Sequence, residues 1–137
     1  MSTKKIWMMS VLLLGCAPAE MHPGERCGAC HSERAEPARR AVAFGAGGTV
    51  YADPSAHPFA GTAGVTVELV DAAGAVVALP TNDVGNFYTT QALRPPLRVA
   101  LVKGSTRVAM KAPAPTGDCN GCHAPGGKDV AGRVWIQ

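Results

Sequence analysis

Two stretches of the chain place cysteines two residues apart with a histidine directly after them: CGACH at residues 27–31 and CNGCH at residues 119–123. Three chemistries use such a pair. A dithiol that cycles with a disulfide needs its attacking sulfur at a helix N-terminus, where the pKa is lowered. A zinc centre needs four ligands, which Cys27, Cys30, Cys119 and Cys122 could supply as thiolates. Covalent haem attachment needs all three residues: two thiols for the vinyl groups on one porphyrin edge, and a histidine whose ring reaches the iron.

Only the third chemistry uses His31 and His123. The chain has four histidines in 137 residues, so two placed by chance directly after a Cys-x-x-Cys pair is a poor account of the pattern. Neither pair follows a buried parallel-type strand or opens an amphipathic helix, which leaves the dithiol without its usual setting. A four-thiolate zinc site would leave both histidines unexplained and would have to close an unusually long loop.

The segment GERCGACHS, Gly24 to Ser32, resembles the attachment site of c-type cytochromes, and CNGCH repeats it. The resemblance implies two covalently bound c-type haems, with Cys27, Cys30, Cys119 and Cys122 holding the porphyrins and His31 and His123 as proximal iron ligands. His22, His57 and Met110 are candidate distal ligands, with Met21 a weaker one. A second histidine would give a closed, low-potential iron, and methionine a higher potential.

The first twenty residues, MSTKKIWMMSVLLLGCAPAE, follow the order of an export signal: Lys4 and Lys5, an apolar run from Ile6 to Leu14, then small residues. The apolar run is too short to span a bilayer as a helix. LLGC at residues 13–16 resembles the lipobox of bacterial lipoproteins, which implies lipidation of Cys16 and removal of residues 1–15. With Ala17 in place of an aspartate, the same resemblance implies sorting to the outer membrane. The five cysteines are then all assigned.

Thirteen Lys and Arg face ten Asp and Glu in the whole chain, and loss of Lys4 and Lys5 leaves eleven against ten. No basic run or aromatic-interleaved basic patch remains, so nucleic acid is not an expected partner. What is left is enough for one domain with a modest core.

Between the two cysteine motifs, short β-prone runs alternate with turn residues. VTVELV puts Val65, Val67 and Leu69 on one face and Thr66 and Glu68 on the other, the pattern of a half-buried antiparallel strand. Asp71-Ala72-Ala73-Gly74 turns into AVVAL, Thr81 to Asn86 turn into NFYTT, and residues 97–103 and 106–110 pair across Gly104-Ser105. With GGTVYA in front, six strands are expected, making a mainly β chain folded as a small antiparallel β-sandwich.

GTVY, AGVTVELVDAAG and TNDVGNFYT resemble the carboxypeptidase regulatory-like domain, a transthyretin-like sandwich module. Together with PTGDCNGCHAPGG they are similar to exported lipoproteins of multihaem-rich bacteria in which such a module carries a haem motif after its last strand. The expected organisation is a signal at 1–15, an arm with the first haem site at 16–46, the sandwich at 47–111, and an arm with the second haem site at 112–137. The arms, rich in Pro, Gly, Ala and charge, read as irregular chain needing a haem to pack around. Phe44, Phe59 and Trp135 are candidates for that packing or for ordinary cover of the sandwich.

If the six strands ran as consecutive antiparallel neighbours, an even count would return the chain to its starting pole and place both motifs at one end. No general acid, base or nucleophile arrangement points to catalysis. The expected function is electron transfer by a membrane-anchored, exported cytochrome. It would face the periplasm or the cell surface and exchange electrons with redox protein partners, other multihaem cytochromes among them. The alternatives are a haem-based small-ligand sensor, or a structural surface module with zinc or disulfides at the cysteine pairs. Mass spectrometry of membrane-extracted protein should find Cys16 as a lipidated N-terminus; an unmodified N-terminus elsewhere would contradict the lipobox reading.

Overall fold

A computed structural model describes residues 21–33, 35, 42–123 and 132–137. The signal segment and Cys16 lie outside the described residues. Among the described residues six strands form: β1 (Ala46–Thr49), β2 (Thr66–Val70), β3 (Val76–Pro80), β4 (Asn86–Thr89), β5 (Arg98–Lys103) and β6 (Thr106–Ala109). They make a four-stranded sheet in the order β3-β2-β5-β6 and a two-stranded sheet, β1-β4, with every pairing antiparallel. The chain is thus mainly β, a small antiparallel sandwich, with strand positions close to those expected.

Alternation in β2 explains why it sits centrally. Val67 and Leu69 are fully buried and Thr66 and Glu68 half-buried, because successive side chains of a strand point to opposite faces. The inward set packs with Val65, Phe87, Leu97, Leu101 and Ile136 in one core cluster. On the outer face, Arg107 Nη2 donates to Glu68 Oε2 at 2.9 Å.

The connections differ from the consecutive arrangement. Only β2-β3 and β5-β6 are hairpins; β1 pairs with β4, and β2 lies between β3 and β5. The parity reasoning therefore fails in its premise. Strand order is decided by which faces find the core, and alternation within one strand carries no record of its neighbour.

Among the described residues helical structure is confined to the cysteine motifs. Cys27–Ala29 form a 3-10 turn and Cys119–His123 a five-residue helix, α1. The arms were expected to be irregular throughout, and segments this short have no apolar period to reveal them. The last residues close the fold: Tyr51 N donates to Val134 O at 2.9 Å and Ile136 N to Tyr51 O at 3.1 Å, carrying Ile136 into the core. Among the described residues no helix is long and apolar enough to cross a membrane.

The β2-β3 turn is organised by Asp71. Its Oδ1 accepts from Ala73 N at 2.9 Å and Ala75 N at 2.8 Å, and its Oδ2 from Arg94 N at 3.1 Å. These amides, Ala75 foremost and then Arg94, hold the carboxyl below its ordinary pKa. The stabilisation is complete above the unfolded value of about 4 and is lost as pH falls through the lower native value. Thermal melts across the acid range should show wild type losing more stability than Asp71→Asn, whose neutral side chain does not titrate; parallel acid slopes would contradict this role.

Candidate functional site

The two cysteine motifs lie against each other on β1. That strand, AGGT, offers almost no side chain where they cross it. A Cβ at Gly48 would stand 2.9 Å from Cys119 Cβ, and one at Gly47 would stand 3.3 Å from Cys27 Sγ. The pair of glycines is a bare strip on which both turns rest. Gly47 N also donates to Gly117 O at 2.9 Å, fixing the residues just before α1 to the strand.

Asn120, between the cysteines of CNGCH and 3 % exposed, joins the parts. Its Oδ1 accepts from Thr49 N at 3.0 Å. Its Nδ2 donates to Glu25 O at 2.8 Å and to Thr49 Oγ1 at 3.1 Å. Thr49 Oγ1 in turn donates to Asn86 Oδ1 at 2.7 Å and accepts from Gly24 N at 2.8 Å. One buried network thus ties α1, β1, β4 and the arm that leads into CGACH. The two motifs are brought together, as expected, but by this network and not by strand parity.

Both motif histidines are held alike. His31 Nδ1 donates to Val42 O at 2.8 Å, and His123 Nδ1 donates to Gly132 O at 2.8 Å. A carbonyl oxygen can only accept, so in the neutral ring the proton sits on Nδ1 and Nε2 keeps its lone pair. His31 also stacks on Phe44 with ring centroids 3.7 Å apart and planes 9° from parallel, and Phe44 stacks on Tyr88 at 4.7 Å.

The four thiols are unpaired and partly buried. Burial, and then the Asp118 carboxylate, push Cys27 up to about 12; burial, then the charges of Cys27, Asp118 and Cys122, push Cys119 to about 12. Such thiols stay protonated at neutral pH and are poor nucleophiles, the opposite of a redox dithiol. Among the described residues no three His, Cys, Asp or Glu side chains gather as a metal-ion site.

A cleft of about 200 Å³ opens beside Cys119, Cys122 and His123, walled by Val99, Leu101, Val134 and Trp135 and bordered by Met110. A second, of about 200 Å³, lies beside Cys27, His31 and Phe44. Among the described residues two buried side-chain polar atoms have no partner, Asp118 Oδ1 and Arg133 Nε, and both residues line the first cleft. The Arg133 guanidinium lies 5.2 Å from the centroid of the Tyr51 ring.

The candidate distal residues separate in space. Met110 borders the His123 cleft, whereas His22 lies 3.3 Å from Glu25 Oε1 and His57 Nδ1 accepts from Phe59 N at 3.3 Å. Neither of these histidines lines either cleft. Phe44 and Trp135 border the clefts, while Phe59 is exposed beside His57.

Sequence reasoning did not find Asn120, Asp118 or Arg133. Nothing periodic marks them; the one available signal was an amide side chain at a spacer position between cysteines. Comparison of the chain with protein-family models, curated proteins and solved structures finds no match. Truncating Asn120 leaves Thr49 N and Glu25 O short of a buried partner, so Asn120→Ala should cost about 1–3 kcal/mol. A lowered urea midpoint at unchanged slope would show it, and a midpoint equal to wild type would contradict the network's role.

Proposed function

We propose that the chain is an exported dihaem c-type cytochrome, lipid-anchored through Cys16 at the outer membrane, that passes electrons between redox protein partners. The observation that carries this reading is the matched pair of Nδ1 bonds, His31 to Val42 O and His123 to Gly132 O. A histidine that binds iron through Nε2 is typically oriented by such a bond from its other nitrogen. Two histidines directly after Cys-x-x-Cys, prepared in the same way, fit two equivalent sites.

The surroundings fit the same group. Cys27 with Cys30, and Cys119 with Cys122, would hold the two porphyrins, beside clefts bordered by Phe44 on one side and by Val134 and Trp135 on the other. Arg133 Nε, buried and unpartnered in the cleft of His123, suits a carboxylate such as a haem propionate. Bound there, iron would supply reversible one-electron chemistry. The chain's own residues would supply ligands, partial exclusion of water and fixed charge. The protonated Cys27 and Cys119 thiols weigh against a dithiol oxidoreductase, and the absence of an ion-sized ligand cluster among the described residues weighs against a shared zinc centre.

Met110, bordering the cleft of His123, would be the residue placed to complete the iron's ligation there. Expressed in a host with haem-ligation machinery, the exported protein should give two covalent haems per chain in a pyridine haemochrome assay; a colourless protein overturns the reading. The reduced Met110→Ala protein should bind about one carbon monoxide per chain more than the reduced wild type; equal binding by the two would favour the small-ligand sensor instead.

A further inference from the structure

Asp118 immediately precedes CNGCH, yet it touches both motifs. A Cβ at Gly28, inside CGACH, would stand 2.8 Å from Asp118 Oδ2, and one at Gly121, inside CNGCH, would stand 2.9 Å from the same oxygen. Both spacer positions are glycine, so the carboxylate packs against the two turns at once. Asp118 borders the cleft of His123 and also the cleft of His31. Its charge reaches Cys27 on one side and Cys119 on the other.

The charge is only partly compensated. Arg26 Nη2 lies 3.6 Å from Asp118 Oδ2, but the Arg26 side chain is 68 % exposed and its charge is largely screened by water. The Asp118 side chain is 21 % exposed, its Oδ1 is buried without a hydrogen-bond partner, and a partly buried charge is screened less than an exposed one. An unpaired buried group calls for a reason, and packing alone does not supply one.

We propose that Asp118 is a shared electrostatic control of both haems, one carboxylate between the two attachment turns that lowers both reduction potentials together. This rests on the dihaem reading. Ferric haem carries one more positive charge than ferrous, so a nearby carboxylate stabilises the oxidised state of each. Because one group serves both sites, it sets their common level while leaving the driving force between them nearly unchanged. Asp118 is a tuning residue: it binds no iron and carries no electron.

The test uses the full-length exported protein, with covalent haem counted first. Optical potentiometric titration, with dithionite as electron donor and ferricyanide as acceptor, then resolves two one-electron components. Asp118→Asn keeps the side-chain shape and should raise both components, each by about tenfold in its reduction equilibrium, or about 59 mV for one electron. A rise in one component alone, or in neither, overturns the shared control while leaving the dihaem reading intact. If Asp118→Asn does not fold, Arg26→Gln decides. It removes an exposed counter-charge and should lower both components by a smaller amount; no shift, or a shift in one only, overturns the inference. Fewer than two covalent haems in the wild type overturns inference and function together.

Discussion

The structure depends on a buried amide. Asn120 gives Thr49 N an acceptor that β1 lacks on that side, and its own NH2 group reaches back to Glu25 O on the arm that leads into CGACH. Thr49 N would otherwise be buried unpaired, at a cost that is a sizeable share of a small domain's net stability, and the part-buried Glu25 O would lose its partner. The two cysteine motifs are separated by nearly the whole sandwich in sequence, and this network makes them neighbours in space.

Once that contact is imposed, other features of the chain follow from it. β1 must be bare where α1 and the 3-10 turn cross it, and Gly47 and Gly48 stand there. The histidine that ends each motif must find an acceptor for Nδ1, and residues well beyond each motif provide one, Val42 in one case and Gly132 in the other. The C-terminal residues must return to the sandwich for Gly132 to be in place, and they do so by bonding Tyr51 on both sides. In the proposed function these are the conditions for two iron-binding imidazoles held at fixed orientation beside one another. The sandwich acts as a frame whose own faces carry little chemistry.

The sequence exposed those parts of the fold that rest on local periodicity or local turn chemistry. Val65, Val67 and Leu69 alternate with Thr66 and Glu68, and the strand lies where that alternation says. Asp71 and Asn82 cap the turns in which they were read, because a carboxylate or amide two residues from an amide hydrogen closes such a turn by itself. The motif residues stand out in the sequence because cysteine, cysteine and histidine recur at one spacing, and the structure brings the two motifs together. Strand order was not, since pairing β1 with β4 is settled by contacts across the core. Neither was Asn120 or Asp118, for a single polar residue carries no pattern, and its burial is decided by distant segments.

The central claim is that two haems lie side by side on one small β frame. Electron paramagnetic resonance of the fully oxidised protein tests this most directly, since two ferric centres held by adjacent turns interact magnetically. The account predicts a spectrum broadened by that interaction, which reverts to a simple single-centre signal when Cys27→Ala together with Cys30→Ala leaves the first haem unattached. A wild-type spectrum equal to the sum of two isolated centres, or one with no ferric haem signal, would contradict it.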